Sequence, residues 1–318
     1  MDHPFLTDSF APCPADLLTA ARKAGPVRML VVQAAAPLPM QSAFEAHQAG
    51  IANPILIGDK AKIIAEADKL SWDMSAIEII EPDDTGEQGC AAAAVAVLQT
   101  RGVVSAENQH GIGAILKGQL HTDVFMGALL HRDAGVRIGN RLVHVFAIYP
   151  ENGPPILVSD AAVNVTPDIK SQQQSLIEMQ RLIEALDHGP ARIAVLSATE
   201  TPIESVPSSI AAGELAGWAK ANLNNAEISG PLSLDLALSA SSVAIKGLTG
   251  DQVAGHANAL HVPDLVSGNI LYKSLVYFGG GCAAGLVMGG ALPILLTSRA
   301  DPPAARLASV ALAAILQN

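Results

Sequence analysis

Between Lys273 and Arg299 the chain carries no charged residue, and Gly281, Gly285 and Gly289 recur there at four-residue spacing. A run of this length can cross a bilayer, for which about 20 apolar residues suffice. Several features argue against a span. A Gly triplet (279–281), a Gly pair (289–290) and Pro293 interrupt the run, and each glycine weakens a helix by about 1 kcal/mol relative to alanine. No other segment resembles a span, and the flanking charges give no orienting bias. The pattern is better read as a strand over LVYF, a turn and tight helix over GGGCAAGLVMGG, and a second strand over PILLTS.

The rest of the chain supports a buried, non-membrane reading. Half of the 318 residues are hydrophobic and only 3% are aromatic, which suits helices packed closely on a parallel sheet covered on both faces. The formal net charge is −11 with no basic cluster, which disfavours nucleic acid and anionic membranes as partners. Cys13, Cys90 and Cys282 are distant from one another and odd in number. They lack metal-ligand spacing and a disulfide framework, as expected of a reducing cytoplasm. The scattered histidines form no ligand motif, so no metal is expected. The first residues, MDHPFLTDSFAPCP, do not resemble a secretory signal.

Strand and helix patterns alternate along the chain. RMLVVQAA, NPILIGD and GAILKG read as strands, while QSAFEAHQAG, a segment from near Lys60 and GCAAAAVAVLQTRG read as helices. This alternation predicts a doubly wound parallel sheet. ENGPP at 151–155 reads as a boundary. Beyond it come a strand over ILVSDAAVN, a helix capped by Thr166 with Pro167 at its first position, and a strand over ARIAVLSATE. Two α/β lobes are expected: residues 1–150 with 294–318, and residues 151–293, with an active-site cleft between them.

In parallel sheets ligands gather at the C-terminal ends of strands. PILLT ends on Ser298 and Arg299, and Asp301 precedes Pro302 and Pro303. A hydroxyl, a guanidinium and a helix start capped by Asp301 would together suit a phosphate or carboxylate. LKGQLHTD ends a strand on Lys117, a compact cation, and starts a helix at Thr122 or Asp123. In HVPDLVSGNILYKSL, Gly268 and Asn269 read as a turn before a helix, where backbone approaches a ligand. The segment GGGCAA fits a relaxed dinucleotide fingerprint but lies too near the C-terminus for such a domain to follow.

In combination, GIANPILIGD, LKGQLHTD, VSDAAVNVTPD, ISGPLSLDLALS, VPDLVSGNILYKSLVYFGG and PILLTSRAD resemble the phosphate acetyl/butyryltransferase family. The last two are closer to its butyryl-type branch, or to the acyltransferase half of hydratase fusions. The resemblance implies a two-lobed fold similar to isocitrate and isopropylmalate dehydrogenases, usually a homodimer. It implies transfer of a short acyl group between coenzyme A and phosphate in a ternary complex, with acyl-CoA, phosphate and acyl phosphate as substrates and no tightly bound cofactor. It implies that Ser298 and Arg299 polarise the acyl phosphate, with Lys117, Thr122, Gly268, Asn269 and Lys273 near the substrates. Arg132 or Arg137 would supply further positive charge.

The chain also departs from the family pattern. An acid that often follows the serine by six or seven residues is replaced by Ala304 and Ala305, leaving Asp301 as the nearest substitute for a thiol base. His256, Asn258 and Ala211 stand where acids are commoner. A catalytically weak relative that binds coenzyme A or phosphate is therefore the alternative expectation, and a nicotinamide-dependent dehydrogenase relative the third.

Overall fold

The computed structural model describes residues 3–296 and 301–317. The elements run α1 (Ala15–Ala24), β1 (Val27–Val32), α2 (Pro37–Gln48), β2 (Ala52–Ile57), α3 (Lys60–Lys69), β3 (Glu78–Ile80), α4 (Glu87–Arg101), β4 (Ala114–Lys117) and α5 (Thr122–Leu130). There follow β5 (Val143–Tyr149), β6 (Ile156–Ser159), α6 (Ile169–Leu186), β7 (Ala191–Leu196), α7 (Pro207–Asn222), β8 (Ala226–Leu232), α8 (Leu234–Leu238) and α9 (Ala240–Lys246). The chain closes with β9 (Ala259–His261), α10 (Leu265–Tyr277), β10 (Cys282–Met288), β11 (Ile294–Leu295) and α11 (Pro303–Leu316). No described helix is long and apolar enough to cross a membrane.

The chain forms two compact units. One comprises residues 12–140 and 284–318, the other residues 1–11 and 141–283. ENGPP lies within the latter unit, where it joins β5 to β6 as an antiparallel hairpin. A hairpin turn and a linker draw on the same Pro, Gly and polar residues, so composition does not separate them.

In the first unit the strand order is β3-β2-β1-β4-β11-β10. All neighbours pair parallel except β10 and β11, which pair antiparallel. Met29, Leu30, Val31 and Val32 are all fully buried although their side chains alternate between faces, so both faces of β1 are covered. α11 is buried around nearly its whole circumference and packs on α1 and α2.

In the second unit the order is β5-β6-β9-β7-β8, parallel except for the β5–β6 hairpin. α6 begins at Ile169, with Asp168 as its N-cap accepting from the Ser171 amide at 2.8 Å. That corrects the expected start at Thr166 and Pro167: the carboxylate two residues on reaches a free first-turn amide, as a cap must.

The uncharged stretch also departs from expectation. LVYF belongs to α10, and the expected tight helix is the strand β10. The glycine triplet ends α10: the Gly280 amide bonds the Val276 carbonyl and Gly281 that of Leu275, the nested pairing that closes a helix C-terminus. Beyond it, CAAGLVM pairs with β11. A short apolar run covered on both faces has no periodicity to distinguish strand from buried helix.

Candidate active site

The predicted residues fall into two groups, one in each unit. In the first unit β1, β4 and β11 are parallel, so Val32, Lys117 and Leu295 end at the same sheet edge. Gly118 follows immediately because nothing larger fits: a Cβ there would lie 2.4 Å from the backbone oxygens of both Val32 and Gln33. The Lys117 ammonium donates to the Leu120 carbonyl at 2.8 Å. With Ser42, Gly118 and neighbouring residues, Lys117 lines a small pocket of about 20 Å³.

α5 begins at Thr122, which is exposed, with His121 in the cap position. Glu87, in the first turn of α4, accepts from the His121 backbone amide at 3.1 Å and pairs with its ring nitrogen at 2.8 Å. The hydrogen bond from the His121 amide is the main reason that the Glu87 carboxyl is held below its usual range. Glu87 thus anchors the HTD segment beside Lys117. The sequence reading missed it because it lies 34 residues away from His121. Arg132 and Arg137 are exposed in this unit.

Ser298 and Arg299 lie outside the described residues. Asp301 is described, and it is not the helix cap: α11 takes Pro302 as N-cap without a side-chain cap bond. Pro302 and Pro303 have no amide hydrogens to offer, which leaves the Ala304 amide as the one donor that a side-chain cap at Asp301 would reach. The Asp301 carbonyl instead accepts from Arg306 Nη1, while Arg306 Nε donates to Ser42 Oγ at 2.9 Å. Arg306 is 3% exposed, a guanidinium buried under α11 that ties residue 301 to α2. Ala305 is buried next to it.

In the second unit Gly268, Asn269 and Lys273 all lie inside α10. The expected turn at Gly268 and Asn269 is therefore corrected. The helix starts earlier, because the Asp264 carboxylate caps the Ser267 amide at 2.8 Å. Gly268 serves close packing: a Cβ would come within 2.6 Å of the Asp160 carbonyl and 3.0 Å of Ala161 Cα. Asn269 Nδ2 donates to the Ala161 carbonyl at 3.4 Å, and Lys273 is exposed.

The loop that α10 packs against is organised by Asp160, 3% exposed. Its carboxylate accepts from the amides of His144, Ala162 and Val163 at 2.9–3.1 Å and from Asn164 Nδ2. Satisfied in this way, a buried carboxylate holds VSDAAVN in a single conformation. Burial pushes the nearby His144 and His261 imidazoles down to about 4, with the Asp160 charge opposing the shift. Burial raises the Cys90 and Cys282 thiols to about 11 and about 12, so neither is a thiolate nucleophile at neutral pH. Among the described residues no cluster of three or more metal-ligating side chains occurs.

The family model described as phosphate acetyl/butaryl transferase matches residues 117–314. The phosphate acetyltransferase of Rhizobium meliloti is 36% identical over 302 residues, spanning 94% of this chain and 92% of that protein. A branched-chain phosphotransacylase from Enterococcus faecalis V583 superposes with a TM-score of 0.77 at 26% identity, covering 92% of this chain and 99% of that one. A putative 4-hydroxythreonine-4-phosphate dehydrogenase from Salmonella typhimurium shares the fold alone, with a TM-score of 0.56 and 12% identity over 92% of this chain. The chain belongs to the phosphate acetyl/butaryl transferase family, on a dehydrogenase-like α/β fold.

Proposed function

We propose that this protein is an enzyme that transfers a short acyl group between coenzyme A and inorganic phosphate. The observation that carries this reading is the 36% identity to a phosphate acetyltransferase along almost the full length of both chains. In the acyl-CoA-forming direction the thiol sulfur attacks the carbonyl carbon of the acyl phosphate. A C–S bond forms, the C–O bond to phosphate breaks, and phosphate leaves with the bond electrons. The thiol proton, held with a pKa of about 8.5 in free cysteine, passes to a base as sulfur attacks. No acyl-enzyme is needed, and the buried, protonated cysteines support that route.

In this proposal Arg299 and Ser298 donate to the oxygen that gains negative charge, and Asp301 takes the thiol proton. Lys117 and Thr122 act on the substrate side of the first unit, and Asn269 and Lys273 on that of the second. Gly268 lets α10 approach the Asp160 loop. Coenzyme A is a substrate, and no resident cofactor is proposed. We also propose a homodimer in the cytoplasm, a compartment suited to three free cysteines. Both acetyl and branched short acyl groups are proposed substrates, from the two acyl types in the relatives' names.

The test is thiol release from coenzyme A when acetyl-, butyryl- or isobutyryl-CoA is mixed with phosphate. Release is expected with at least one of them, and Arg299→Ala should lower kcat by about 100- to 1,000-fold, as expected for loss of a preorganised oxyanion donor. Ala304 and Ala305, where the family often has an acid, favour a second reading as a weakly catalytic binder. Coenzyme A binding without thiol release from any acyl-CoA would select it.

A further inference from the structure

The loop between β4 and α5 forms one wall of the small pocket in the first unit, through Lys117, Gly118, Gln119 and Leu120. Two hydrogen bonds hold its backbone to the end of β1. The Gly118 amide donates to the Val32 carbonyl and the Gln119 amide to the Gln33 carbonyl, both at 2.9 Å. The far end of the loop is held by Glu87, which takes the amide and a ring nitrogen of His121.

Gln33 is the unusual member of this scheme. Its φ is 59°, in the left-handed region that residues with a Cβ rarely adopt. Such a conformation persists only where the surroundings enforce it, and it clusters where strain serves function. Here the side chain supplies the enforcement. Gln33 Nε2 donates to the Thr85 carbonyl and Oε1 accepts from the Cys90 thiol, both at 3.1 Å. Burial raises that thiol to about 11, so it stays protonated and remains a donor at neutral pH. A turn that needed only a positive φ would be met by glycine at no steric cost. Glutamine adds the reach across to α4.

Thr85, Glu87 and Cys90 all lie at the start of α4. That one helix end therefore grips the loop twice: through Gln33 to Gln119, and through Glu87 to His121. The two grips fall on either side of Leu120, whose carbonyl accepts from the Lys117 ammonium at 2.8 Å. Thr122 follows directly as the first residue of α5.

We propose that Gln33 and Glu87 are positioning residues, which fix the spacing between Lys117 and Thr122 and so set how well this loop meets its substrate. The inference rests on the proposed acyl transfer, which puts Lys117 and Thr122 on the substrate side. Gln33 and Glu87 act through the loop, by removing its alternative placements. A displacement of about 1 Å in a group that meets substrate costs up to about 100-fold in rate.

The test uses Gln33→Gly, Glu87→Ala and Glu87→Gln in the full chain. Thiol release is followed from acetyl-, butyryl- or isobutyryl-CoA at varied phosphate. Binding of coenzyme A and of inorganic phosphate is read by calorimetry, and stability by the urea midpoint. Gln33→Gly keeps the positive φ without strain and removes the side chain. Its midpoint should stay at or above that of the parent while kcat/KM for phosphate falls by roughly 10- to 100-fold. Glu87→Ala should show a loss of similar size. Glu87→Gln keeps an oxygen for the His121 amide and should recover most of it. Unchanged kcat/KM in folded Gln33→Gly or Glu87→Ala, or a loss of stability that accounts for the lost activity, would overturn the proposal. A parent that releases no thiol removes the acyl-transfer reading, and calorimetry then decides. Binding weakened by roughly tenfold or more in both variants keeps the inference, whereas equal binding, or none by the parent, overturns it.

Discussion

His144 and His261 are buried to within 2% of full enclosure, and burial lowers both imidazoles from 6.5 to about 4. Both are neutral in the folded chain, whereas in the unfolded chain they protonate near 6.5. Between those values the unfolded state holds more protons, so stability falls as pH drops from about 6.5 toward 4. Each unit of depression is worth about 1.4 kcal/mol at full effect, so the two together contribute several kcal/mol of acid sensitivity. Urea midpoints measured from pH 7.5 to 4.5 should decline through this window, and His144→Asn with His261→Asn should flatten the decline. Little of this was legible in the sequence, where the histidines only fail to form a ligand motif. Their enclosure depends on strand pairing over long separations. Arg306 escaped notice for the same reason, since its partner Ser42 lies 264 residues away.

At the scale of elements, local chemistry predicted most of the strands and helices. Caps and glycines mark several ends well, such as Asp59 before α3 and Gly102 after α4. Prediction failed where one residue type serves two purposes. Gly268 reads as a turn residue but is a contact residue inside α10, and CAAGLVM reads as a tight helix but is a strand. A pair of glycine variants separates these purposes. Gly268→Ala should destabilise by about 1–3 kcal/mol through overpacking against the Asp160 carbonyl. Gly217→Ala, in α7 with nothing within 4 Å of the added methyl, should stabilise by up to about 1 kcal/mol. Urea denaturation of the two variants reads both signs.

At the scale of the whole molecule, neither compact unit is a continuous piece of chain. Residues 12–140 supply β1 to β4, but β11 and α11 come from beyond residue 283. A chain ending after Met288 lacks β11 and α11, leaving β4 without one neighbour and exposing the apolar surface of α1 and α2. Limited proteolysis should then cut within residues 12–140, where the full chain resists, while residues 141–283 stay protected. Family motifs across the chain made the α/β fold and the acyl-transfer reading visible in the sequence. The chain's division into units was less visible, because a hairpin such as ENGPP has the composition of a linker.

That discontinuity bears on how the molecule is made. A ribosome delivers β1 through β4 early, yet their sheet must wait for β11 and α11, encoded roughly 180 codons further on. Residues 141–283 emerge in the interval with every strand of their own parallel set already in hand. The unit whose strands are made first is therefore finished last, and until α11 arrives those apolar strands are exposed to proteases and to one another.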